Sequence, residues 1–224
     1  DPEFIAQQIE QNRLMVRNSF NHPSVIIFAF LNENASGTDE GVAICRQLAD
    51  TIRAEKSGRL VTFACSHVKT DRASEFMDII AYNTYPGWIC AESSPEKEPT
   101  EYIVPDMEEI VKRFRGLYGD TKPIIVSEMG VCALYGQHDL ANAQWSEEFQ
   151  AELLGAIADA VMGSDEISGL IFWQFNDAKS FHRKGSILRV KPLSQNLAGI
   201  YDQYRRPKLA AQVVAEKFAQ KPSM

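Results

Sequence analysis

Seven apolar residues in a row, Val25-Ile26-Ile27-Phe28-Ala29-Phe30-Leu31, run straight into Asn32-Glu33-Asn34. A β-branched and aromatic run of this length reads as a buried parallel strand. A buried strand that ends in a carboxylate needs a reason, because an ionised carboxylate is costly to desolvate unless it is paired or hydrogen-bonded. The chain repeats the pattern once. Pro123-Ile124-Ile125-Val126-Ser127 runs into Glu128-Met129-Gly130. The remaining sequence is read as the scaffold for these two strand ends.

That scaffold alternates. Apolar residues at helical spacing predict helices over 3–20, 39–57, 106–118 and 145–162, and a last helix opening at Pro207, a favoured first position. Strands are predicted over 25–31, 60–64, 78–82, 123–127 and 169–173, with a short helical piece near 73–77. The stretches 91–105, 129–143 and 179–197 read as loops. Strands alternating with helices mean a parallel sheet with helical crossovers, either doubly wound or part of a (β/α)8 barrel. The polar residues favour the barrel. Each strand is apolar along its body and polar or aromatic at its C-terminal end: Asn32-Glu33, Ser66-His67, Asn83 and Tyr85, Glu128, and Trp173 to Asp177. Barrel enzymes gather their chemistry from such ends. The glycine-rich phosphate loop that an open nucleotide-binding sheet often carries is absent.

Composition narrows the function. The 224 residues carry 23 basic and 30 acidic side chains, a net charge of −7 without long blocks, which gives no sign of nucleic-acid binding. No apolar run approaches the roughly 18 residues that span a bilayer, and Asp1-Pro2-Glu3-Phe4 does not resemble a signal peptide. The compartment stays open. Cys45, Cys65, Cys90 and Cys132 have no CxxC spacing, so they are expected to be buried thiols and no metal site is expected. No cofactor is expected either. Two carboxylates at strand ends suit glycosidic bond cleavage, in which one acid donates a proton to the leaving oxygen and the other, ionised, attacks the anomeric carbon. Solvated loop acids are the alternative reading of the same pair.

Several stretches together are similar to glycoside hydrolase family 2, the β-galactosidase and β-glucuronidase family. Asn21-His22-Pro23-Ser24-Val25-Ile26-Ile27 with Asn32-Glu33 resembles its acid/base signature, and Ile124 to Gly130 its nucleophile strand. Gly169 to Phe175 resembles the last barrel strand. Gly199-Ile200-Tyr201 with Arg206 to Ala211 resembles the closing loop and helix. The resemblance implies a TIM-type α/β barrel, incomplete here, with residues 1–224 as one catalytic-domain piece supplying strands four to eight. The first three strands and the β-sandwich domains would lie outside this sequence. Two open sheet edges would then invite self-association.

The resemblance also implies roles. Glu33 would be the general acid and then base, and Glu128 the nucleophile of a retaining double displacement. Asn32 would bind the sugar 2-hydroxyl. Asn83 and Tyr85 would stand at the mouth, with Tyr85 hydrogen-bonded to the nucleophile, and Trp173 would form the apolar floor. Asp177 and His67 are further substrate-binding candidates, and His182 a weaker one. Trp88 and Trp145 read as packing residues, and His22 as structural. Where family β-glucuronidases carry Asn-x-Lys, this chain has Asn196-Leu197-Ala198. That weakens glucuronate, unless Arg183, Lys184, Arg189 or Lys191 replaces the lysine, and leaves a β-galactosidase-like exo-β-glycosidase as the main reading, with a β-glucuronidase or β-mannosidase of the family as the alternative. An inverting hydrolase and a non-catalytic carbohydrate-binding domain are the competing readings. The intact Glu33/Glu128 pair speaks against the latter.

Overall fold

The computed structural model describes residues 1–88, 97–180 and 194–220. The chain packs as two compact units, one of Asp1–Asn83 with Glu109–Ser127 and one of Thr84–Glu108 with Glu128–Met224.

The first unit opens with α1 (Pro2–Ser19), whose free N-terminal amides are met by the Asp1 carboxylate accepting from Glu3 and Phe4. β1 (Ile27–Asn32) follows, then α2 (Asp39–Ala54), capped by Thr38 accepting from the Gly41 amide. β2 (Leu60–Cys65), a 3-10 turn (Ala73–Phe76) and β3 (Ile80–Asn83) come next. β1, β2 and β3 pair in parallel. The Ile80 amide donates to the Pro123 carbonyl at 2.9 Å, where β4 (Ile124–Met129) joins the sheet. Cys45, Leu48, Ala49 and Ile52 face inward from α2 at the predicted spacing and meet Phe28, Phe30, Val61 and Phe63 from the strands. The Phe30 and Phe63 rings lie 6.1 Å apart.

The second unit is built on α4 (Glu147–Met162) and α5 (Leu209–Ala219). Leu153, Leu154, Ile157 and Val161 of α4 and Ala210, Ala211 and Val214 of α5 are buried. β5 (Ile167–Phe172) joins the end of β4, its following residue Trp173 donating its amide to the Met129 carbonyl at 2.9 Å. A two-residue pair, β6 (Ala178–Lys179) with β7 (Gln195–Asn196), is antiparallel. Trp88 and Trp145 meet edge to face with centroids 5.0 Å apart, the packing role the sequence predicts.

Most element ends shift by one to three residues from the sequence reading, and three differences have a physical account. α3 runs Ile103–Tyr118, earlier than residue 106, because Pro99–Tyr102 winds a 3-10 turn ahead of it in the polar stretch. There the Glu98 amide is satisfied by the Glu101 carboxylate at 2.7 Å. The last helix begins at Leu209, not Pro207. Pro207 is instead bridged to Tyr201, and Lys208 takes the N-cap. Strands 6 and 7 occupy the ends of what reads as a loop. Cys45, Cys65 and Cys132 are buried thiols, and Cys90 and His182, with the cations at 183, 184, 189 and 191, lie outside the described residues.

Candidate active site

Glu33 owes its setting to an irregularity in the sheet. Ala29 pairs with Thr62 and Asn32 with Ala64, so β1 carries one extra residue against β2 just before the carboxylate. Such bulges bend a strand and re-aim its side chains. Glu33 itself adopts φ 52°, in the left-handed region that costs a non-glycine residue energy, and donates its amide to the Ala64 carbonyl at 2.8 Å. Asn83, at the end of β3, is 5% exposed. Its Nδ2 donates to Asn32 Oδ1 and to Glu33 Oε1, both at 3.0 Å, and its Oδ1 accepts from the Ser127 hydroxyl at 2.8 Å. Asn83, expected at the mouth as a substrate-binding candidate, holds the Asn32 amide, the Glu33 carboxylate and a β4 hydroxyl. His67 is exposed, and its carbonyl closes a turn by accepting from the Thr70 and Asp71 amides at 2.9 Å.

In the second unit the Tyr85 hydroxyl donates to Glu128 Oε1, the contact the resemblance implies. The backbone keeps the two together, since the Thr84 amide donates to the Glu128 carbonyl at 3.0 Å, and Thr84 Oγ1 donates to Asp106 at 2.7 Å. Trp173 keeps 39% of its surface exposed at the end of β5, ahead of a cis peptide to Gln174. Gly130 lies against it: a Cβ there would sit 1.9 Å from the Trp173 carbonyl oxygen, so only glycine lets these strand ends close.

Asp177 does not stand free for a substrate. It is 4% exposed, and its Oδ1 accepts from Lys208 Nζ at 2.8 Å and from the Gly199 amide at 3.0 Å. Burial pushes the Asp177 carboxyl above its ordinary range, while Lys208 opposes the shift. Among the described residues no group of His, Cys, Asp and Glu is placed to hold a metal ion.

Comparison with known proteins decides the family. Residues 1–221 match the TIM barrel domain of the glycosyl hydrolases family 2. The chain belongs to that family. β-Glucuronidase from Paenibacillus borealis is 29% identical over 208 residues, covering 92% of this chain and 33% of that protein. The Homo sapiens β-glucuronidase is 27% identical over 210 residues, 91% of this chain and 30% of that protein. A crystal structure of a family 2 β-galacturonidase from Eisenbergiella tayi, bound to galacturonate, superposes with TM-score 0.86 at 30% identity, over 100% of this chain and 38% of that one. The chain thus spans about a third of the length of the curated relatives it matches. The open doubly wound sheet is set aside, and the five strands in sequence order are part of a TIM barrel.

Within glycosyl hydrolases family 2, three side chains that sequence reasoning passed over hold this region. Ser127 orients Asn83, Gln150 of α4 and Lys208 before α5 hold loop carbonyls. Ser127 had a signal, a hydroxyl inside an apolar strand. Lys208 had one too, a cation at a helix N-terminus, where the helix dipole disfavours it.

Proposed function

We propose that this protein is a retaining exo-β-glycosidase that removes terminal β-linked uronic acid residues, glucuronides foremost. The observation that carries the reading is that two strand-end carboxylates are held by different partners, Glu33 by the Asn83 amide and Glu128 by the Tyr85 phenol. Unlike surroundings are how two carboxyl groups take different roles. Glu128 attacks the anomeric carbon as Glu33 passes its proton to the departing oxygen, breaking the glycosidic bond and leaving a glycosyl ester. Water, giving a proton to Glu33, then cleaves that ester with net retention. Asn32 binds the 2-hydroxyl, and Trp173 lies under the sugar's C–H face.

The sugar assignment departs from the galactoside expectation. The relatives described above are named for glucuronate and galacturonate, which supports a uronide. The Asn196–Ala198 segment supplies no cation, since Asn196 Oδ1 accepts from the Ala198 amide at 3.2 Å and Ala198 is buried.

Turnover of p-nitrophenyl β-glucuronide, β-galacturonide and β-galactoside by the full-length protein tests this. A uronide is expected to exceed the galactoside in kcat/KM by on the order of a hundredfold, the worth of a charge-assisted hydrogen bond left unmade. Galactoside preference would overturn the sugar, and no turnover of any of the three the enzyme reading. A 2-deoxy-2-fluoro glucuronosyl fluoride should label Glu128, and a label elsewhere would reassign the nucleophile. Glu33→Ala should spare substrates with good leaving groups.

A further inference from the structure

We propose that Lys208 is a positioning residue for this reaction, its buried ammonium fixing the segments that follow the strand ends of Glu128 and Trp173. The inference rests on the reading above for the identity of the reaction.

The side chain of Lys208 is 0% exposed. Its Nζ donates to the Ala133 carbonyl at 2.7 Å, the Leu197 carbonyl at 3.0 Å and Asp177 Oδ1 at 2.8 Å. An ammonium has three donors, and all three are used. Each acceptor lies on a different stretch of chain. Ala133 follows Glu128 after a few residues. Asp177 follows Trp173. Leu197 precedes Ala198, whose carbonyl accepts from the amide of Gln174, the residue after Trp173, at 3.0 Å. Gln150 reinforces the same junction from α4, with Nε2 donating to the Val131 carbonyl at 2.9 Å and the Gly199 carbonyl at 3.1 Å.

This arrangement is a poor way to gain stability alone. Burial drives Lys208 below its ordinary range, against the pull of Asp177, and buried ion pairs are often replaced by apolar side chains without loss. Nor does Lys208 serve α5. Its side chain makes no capping hydrogen bond, only its carbonyl accepting from the Ala211 amide at 2.9 Å, and the first amide of the helix, Leu209, is taken by Glu147 Oε2 at 2.6 Å. What the ammonium does is dictate where three acceptors sit, which a methionine of similar volume cannot do. An error near 1 Å at reacting groups costs about a hundredfold in rate.

The test compares full-length Lys208→Met, Asp177→Asn and the apolar pair Lys208→Met/Asp177→Leu with the unaltered protein. We measure kcat, KM, Tm and amide exchange. Lys208→Met should lower kcat about a hundredfold, with exchange quickened at 131–133, 174–177 and 197–201 and unchanged inside α4. The apolar pair should regain Tm but not kcat. A purely structural lysine would return both, and a folded variant with normal kcat and normal exchange overturns the proposal. Should Lys208→Met not fold, Asp177→Asn, which keeps an acceptor but drops the charge, decides by the same pattern at about tenfold. Failure of the unaltered protein to turn over any glycoside would sink the functional reading, whereas exchange in the three segments judges the anchor by itself.

Discussion

Asn83 and Tyr85 sit two positions apart and serve different carboxylates. Asn83→Ala removes both donors from Asn32 and Glu33 and strands the Ser127 hydroxyl. It is expected to cost about 1–3 kcal/mol in denaturant unfolding, the net worth of the hydrogen bonds lost, since Asn32 and Glu33 are exposed and Ser127 is half-buried. Activity should fall further than stability, because Glu33 loses the amide that orients it. Tyr85→Phe is the gentler change. It deletes one hydroxyl from Glu128, and a drop in kcat of roughly tenfold to a hundredfold is expected with Tm nearly unmoved. A Tyr85→Phe protein at full kcat would mean that the phenol does not act on the chemistry through Glu128.

At the level of elements, the strand bodies and helix faces were legible because they are written as local periodicity. Phe28 and Phe30 face the core from β1, and Cys45, Leu48, Ala49 and Ile52 from α2, as their spacing requires. Partners far along the chain were not legible. Asn83 and Asp177 were both picked out as polar groups at strand ends, but nothing local says that Asn83 finds Glu33 50 positions back or that Asp177 finds Lys208 31 positions on. Gly130 belongs here too. Gly130→Ala would force a Cβ into the Trp173 carbonyl, and a loss of at least about 1–3 kcal/mol is expected, read from the unfolding midpoint. The loop between β4 and α4 is held at its outer end by His138, whose Nδ1 lies 2.7 Å from Glu148 Oε1. Their hydrogen bond raises His138 above its ordinary 6.5 and lowers Glu148 below its ordinary 4.5. The histidine's contribution is full below 6.5 and lost as pH rises through its raised value. The glutamate's is full above 4.5 and lost as pH falls through its lowered value. Amide exchange at 136–142, corrected for intrinsic rate, should therefore be slowest between those limits, and His138→Ala should flatten the profile.

At the scale of the molecule, three buried thiols report on the two units. Cys45 and Cys65 lie in the first, and burial pushes them up to about 11 and about 12, while Cys132 lies in the second. Thiolates, not thiols, react with alkylating agents. Native protein at pH 8 should leave all three unmodified by iodoacetamide, and graded denaturant should release Cys45 and Cys65 together. Labelling of Cys65 without Cys45 would show that the first unit does not open as one. The seat of Lys208 has a practical reach of its own. It stands one residue ahead of α5, and α5 stacks Phe218 on Phe172 of β5 at 5.7 Å. Strain put on α5 by a substitution at Phe218 would therefore reach the Ala133 and Leu197 carbonyls through a single ammonium, so a change far along the helix is felt in loops it never touches.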